Sequence, residues 1–138
     1  MAFHLPRRRG ESTPPPAAYA PVHNGRPDPG EVVWAWVPYE DDPHRGKDRP
    51  VLVLAVAGGR VTGLGMTSKD HYRDDRQEAR AGRVRMDVGT GDWDRQGRES
   101  EVRLNRVLSL PESQVRREGA ALDPATFAEV LRAVRRYL

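Results

Sequence analysis

Four side chains in this 138-residue sequence have types suited to chemistry at an anionic group: Arg49, Thr67, Ser68 and His44. An arginine stays charged and presents a planar fork that can grip two phosphate oxygens. A hydroxyl can donate to the same group, and a histidine titrates close to neutral pH. Each also has an ordinary structural use. Arg49 can cap a loop, Thr67 and Ser68 can hydrogen-bond their own backbone at a strand end, and His44 can be a solvated loop residue. Lys69, Asp70 and His71 follow Thr67-Ser68 directly, and Arg45 and Lys47 precede Arg49, so basic groups flank both positions. Two histidines near Asp41, Asp42, Asp70, Asp74 and Asp75 lack any metal-ligand spacing, and no metal site is expected.

These residues must be positioned by the elements around them. Arg49-Pro50 opens the run Val51 to Val56, which is almost continuously apolar and suits a strand covered on both faces. Before it, Val32, Val33, Trp34, Ala35, Trp36 and Val37 form a β-branched and aromatic strand ended by Pro38, followed by a polar loop from Tyr39 to Asp48. Trp34 and Trp36 alternate with smaller apolar residues, so both fall on one face, directed at the core or a dimer seam rather than at stacked bases. Gly58-Gly59 is a hairpin signal, and Arg60 to Met66 reads as the returning strand, ending in Thr67-Ser68. Residues 69–82 are polar without an apolar period and read as a long loop. Val84, Met86 and Val88 alternate with charges, as do Val102 and Leu104, with β character continuing to Pro111. Trp93 sits in a turn-rich stretch and is expected to anchor it to the core. Asp123 can cap a helix that begins with Pro124 and carries Phe127, Val130, Leu131 and Val134 on one face.

The chain bounds one domain with a modest core. Its net charge of +3 and pI of about 9.7 favour a polyanionic or acidic partner. Residues 1–29 hold a Pro14-Pro15-Pro16 run and four arginines against two carboxylates, and are expected to form a disordered tail. Cysteine is absent, which excludes disulfides and thiolate chemistry. No apolar run reaches membrane-spanning length and no secretory h-region follows Arg7, Arg8 and Arg9, so a cytoplasmic protein is expected.

Gly30-Glu31-Val32-Val33-Trp34, followed nineteen residues after that glycine by Arg49-Pro50 and an apolar strand, resembles the PemK/MazF toxin family. Thr67-Ser68 at the next strand end, Arg106-Val107-Leu108, and Leu122-Asp123-Pro124 at the helix start extend the resemblance over about residues 30–138. It implies an SH3-like β-barrel with a C-terminal helix, usually a homodimer. It implies a metal-independent and cofactor-free endoribonuclease that cuts single-stranded RNA by attack of the ribose 2′-OH and is neutralised by an antitoxin with an acidic or disordered tail. Operator DNA would be bound only as the toxin–antitoxin complex. Arg49 and Thr67 match the family's catalytic arginine and threonine, with Ser68 assisting. His44 stands where many members carry glutamate and is the candidate proton-transfer group. Lys69, His71, Lys47 and Arg45 are the expected RNA contacts. The competing expectation is a non-catalytic SH3-like barrel that binds nucleic acid or an antitoxin-like peptide.

Overall fold

The computed structural model describes residues 27–68 and 82–137. Most of the expected tail and of the long polar loop, including Lys69 and His71, lies outside the described residues. Within them the chain forms β1 (Glu31–Pro38), β2 (Gly46–Ala57), β3 (Arg60–Ser68), β4 (Arg85–Gly89), β5 (Ser100–Pro111), a 3₁₀ turn (Glu112–Gln114), β6 (Arg116–Ala121) and α1 (Pro124–Val134). All six strands join one antiparallel sheet in the order β4-β5-β3-β2-β1-β6. The protein is therefore mainly β with one C-terminal helix, as expected. The sheet is bent but not closed: β4 and β6 are its edges.

β2 shows why the sheet has two interiors. Leu52 and Leu54 enter one buried cluster, while Val51 and Val53 enter a second on the opposite face. α1 seals the first. Asp123 caps it by accepting from the backbone N–H of Ala125 and of Thr126 at 3.1 Å each, and Pro124 fills the first helical position. Phe127, Val130, Leu131 and Val134 then fall on the face that meets Leu52, Leu64 and Met66 in the first cluster. The second cluster joins Val33, Ala35 and Val37 of β1 to Leu108 and Leu110 of β5. These strands are separated in the sheet by β2 and β3, so only curling brings them together. Arg106 Nη2 donates to Pro38 O at 2.8 Å across that curl.

Two strand details place the site. The β2–β3 pairing ends at Val51–Gly65, although β2 stays paired with β1 down to Gly46 and β3 with β5 up to Ser68. Neighbouring strands thus part like a fork, and Pro50, which has no N–H to donate, stands where the ladder ends. On β5, five residue steps separate Val102 from Val107 while their partners Met66 and Leu64 are two apart. That bulge of three extra residues turns Arg103 and Arg106 toward the second interior.

The shared face of Trp34 and Trp36 is observed, but neither tryptophan enters a core cluster. Val33, Ala35 and Val37 occupy the interior instead, and Trp36 is 50% exposed over Gly46. Alternation fixed which residues share a face but not which face is inward. β6 was not expected, since Arg116 to Ala121 lacks an apolar period; its backbone pairs with β1.

Close packing between β2 and β3 depends on Gly63. A Cβ there would lie 2.6 Å from Leu52 O and from Val51 Cγ1. Gly63→Ala is expected to cost about 1–3 kcal/mol, measurable as a lower urea midpoint.

Candidate active site

Arg49 and Thr67 stand on the two prongs of the fork, and both line a hollow of about 200 Å³ together with Lys47, Ser68 and Trp34. The aliphatic stem of Arg49 lies over Gly65, where a Cβ would sit 3.7 Å from Arg49 Cδ. Arg49 also lines a second hollow of about 230 Å³, at the rim of the curl, with Tyr39, Glu40, Arg83, Arg85, Arg103 and Arg106. One side chain therefore connects the two spaces.

The second hollow is strongly cationic, with five arginines against Glu40 and Asp41. Burial lowers the Arg49 pKa from its ordinary value, and the positive charges of Arg85 and Arg106 add to this while Tyr39 opposes it. Arg49 Nε is buried without a hydrogen-bond partner among the described residues. A buried cationic donor left unpaired is costly, and an incoming anion would relieve that cost. Arg106 is likewise pushed down, chiefly by burial, with Glu40 opposing.

Glu40 is the carboxylate held firmly at this rim. Arg103 grips both of its oxygens, Nη1 to Oε1 at 3.1 Å and Nη2 to Oε2 at 3.2 Å. That hydrogen bonding holds the Glu40 pKa below its ordinary value, overcoming a smaller opposing effect of burial. Arg103 Nε also donates to Asn105 Oδ1, so the bulge fixes the guanidinium before it reaches Glu40.

Beneath the first hollow, Trp93 anchors the β4–β5 connection as expected. It is buried, donates from Nε1 to Ser100 Oγ at 3.0 Å, and accepts through its carbonyl from Trp34 Nε1 at 3.1 Å. Ser100 is the cross-strand partner of Ser68, so the anchor reaches the floor beside Thr67.

The structure thus brings together Arg49, Thr67, Ser68 and Lys47. His44 is placed elsewhere: it is exposed in the turn between β1 and β2, its N–H donates to Asp42 Oδ1 at 3.3 Å, and it lines neither hollow. Arg45 is also exposed, and its backbone shapes the same turn by donating to Asp42 O and accepting from Tyr39 N. Glu40, Arg103 and Arg106 were missed as site residues from sequence. The curl and the bulge that bring them to Arg49 leave no local pattern.

Among the described residues, no group of three or more His, Asp or Glu is placed to hold a metal ion, and no helix is long and apolar enough to cross a membrane. No curated protein matches the chain. A family model described as the PemK-like, MazF-like toxin of type II toxin–antitoxin systems matches residues 28–138, which include both prongs, the curl and the helix. The family implies an antitoxin as partner, and with that match over most of its length the chain belongs to the PemK-like, MazF-like toxins of type II toxin–antitoxin systems.

Proposed function

We propose that this toxin is a metal-independent endoribonuclease that cuts single-stranded RNA through attack of a ribose 2′-OH. The observation that carries this reading is Arg49 Nε, buried without a hydrogen-bond partner among the described residues, on a side chain that lines both the arginine-rich hollow and the hollow of Thr67. In the reaction the 2′-oxygen bonds to phosphorus, the bond to the 5′-oxygen breaks, and a cyclic phosphate and a 5′-OH end result. Arg49 neutralises the charge that builds on the phosphorane, and Thr67 donates a hydrogen bond to it. Ser68 and Lys47 support the phosphate from the same hollow. Glu40 takes the proton from the 2′-OH, in the role that His44 held on sequence grounds, and the leaving oxygen collects a proton from water. The toxin acts in the cytoplasm as a homodimer, is neutralised by its antitoxin, and meets operator DNA only in their complex.

A second reading, a non-catalytic module that binds nucleic acid or an antitoxin-like peptide, is favoured by the distance of His44 from either hollow. Incubation with a long single-stranded RNA in EDTA separates the two. Cleavage that survives chelation and is lost in Arg49→Ala supports the enzyme. Intact RNA with retained binding establishes the module.

The role of Glu40 predicts a pH dependence. Its pKa lies below the ordinary 4.5, and a general base must be ionised, so the acid limb of kcat should fall below pH 4.5. Arg103→Ala removes the main cause of the lowering and should move the limb upward. Glu40→Gln should cut kcat by roughly 10²-fold or more and abolish the limb. A limb unmoved by Arg103→Ala would remove Glu40 from the reaction.

A further inference from the structure

The prong that carries Thr67 is braced from behind. Met66 enters the helix-covered cluster, so alternation keeps Ser68 on that side and turns Thr67 to the opposite one, which Arg49 shares with Val51 and Val53. Toward β2 the prong has no ladder, because the β2–β3 pairing ends at Val51–Gly65. On its other side Met66, Thr67 and Ser68 pair with Val102, Glu101 and Ser100 of β5. Ser100 is also the partner of Gly89 at the end of β4, so one residue ties three strand ends together. Its hydroxyl is held by a fixed group. Ser100 is 2% exposed and accepts from Trp93 Nε1 at 3.0 Å. Trp93 is packed in the cluster that contains Met66 and Val102. The loop around it is stiffened by turns: Asp94 N donates to Gly91 O at 3.2 Å, and Gly97 N to Asp94 O at 2.9 Å. The Asp94 side chain accepts from Gln96 N and from Arg98 Nε at 2.9 Å each. The indole therefore fixes Ser100, and Ser100 fixes where the open prong ends.

We propose that Ser100 is a positioning residue of the reaction: locked to Trp93, it sets the place of the Thr67 hydroxyl across the fork from Arg49. The proposal rests on the ribonuclease reading, in which Thr67 donates to the phosphorane. A donor serves that charge only at hydrogen-bond distance, and a displacement of about 1 Å can cost on the order of 10²-fold in rate. With β2 absent from one side of the prong, the pairing to β5 alone holds Thr67 at that distance. Ser100 acts through Thr67, so its effect lies in the rate of the chemical step and not in RNA affinity. A serine that only satisfied the buried indole N–H would change stability and leave that rate as it is.

The test compares the full chain as wild type, Ser100→Ala, Thr67→Val and the double variant, at a temperature below the onset of unfolding of each. Single-turnover cleavage of a long RNA of mixed sequence gives the rate at saturating protein and the protein concentration at half saturation. Ser100→Ala should slow the saturating rate roughly 10-fold and leave half saturation unchanged. In the Thr67→Val background the same substitution should change the rate by less than about twofold, because the hydroxyl it positions is gone. Equal slowing in both backgrounds, or a wild-type rate in Ser100→Ala, overturns the positioning role and leaves the ribonuclease reading standing. Trp93→Phe breaks the same hydrogen bond from its other end, and it carries the comparison if Ser100→Ala does not fold. If the wild type cuts no RNA, the ribonuclease reading fails and amide exchange decides the brace alone. Exchange roughly tenfold faster at Met66, Thr67 and Ser68 in Ser100→Ala, with Val61 to Leu64 unchanged, supports it, and unchanged exchange at the prong overturns it.

Discussion

Replacing Arg49 with methionine is expected to abolish RNA cleavage and, at the same time, to raise the melting temperature. Loss of the guanidinium removes the charge that faces the phosphorane, and loss of one well-placed donor alone costs roughly 10²–10³ in kcat. Stability should move the other way. Among the described residues Arg49 Nε is buried without a hydrogen-bond partner, and Arg85 and Arg106 repel the charge it belongs to. Methionine keeps the apolar stem over Gly65 and removes the buried Nε donor with its charge. A gain of about 1 kcal/mol, or roughly 4 °C for a domain of this size, is expected. Calorimetry and a gel-based cleavage assay on the same preparation check both halves. A variant that loses activity together with stability would mean that Arg49 is a structural residue.

Trp93→Ala is expected to cost about 3–5 kcal/mol, the largest stability loss of any substitution considered. Trp93 is 4% exposed, and its indole Nε1 donates to Ser100 Oγ. Gly91 exists to admit it, since a Cβ there would lie 2.1 Å from Trp93 Cζ3. Trp93→Phe keeps most of the packing and loses only the bond to Ser100, a loss of about 1 kcal/mol. Urea unfolding of the two variants separates the packing contribution from the hydrogen bond. A phenylalanine variant as damaged as the alanine one would place the whole effect in the polar contact.

Much of the fold was legible because it rests on local patterns. The doubly covered strand from Val51 to Leu54, the turn at Gly58-Gly59, the Asp123 cap and the buried Trp93 are all written in adjacent residues. Arg49 and Thr67 were singled out through the family resemblance; β2 begins three residues before Arg49, at Gly46, because Gly46 to Asp48, expected in the loop, pair with β1. What was not legible depends on distant parts of the chain. β6 is recruited by backbone pairing with β1, which any side chains permit. Glu40 and Arg103 lie 63 positions apart and meet only because the sheet curls. The inward face of β1 also depended on the curl, which put Val33 inside and left Trp36 in solvent.

The excess in β5 carries a rule about length that its composition does not reveal. Three additional residues is an odd number, so Val102 and Leu104 belong to the helix-covered cluster while Leu108 and Leu110 belong to the other. Parity, rather than the identity of residues 103–106, assigns the two halves of the strand to opposite sides. Removing one residue from that stretch would direct Leu108 and Leu110 outward or force the strand to slip. Removing two would keep the assignment while shortening the segment that carries Arg103 and Arg106. A single-residue gain or loss in β5 is therefore expected to disturb this fold more than a gain or loss of two.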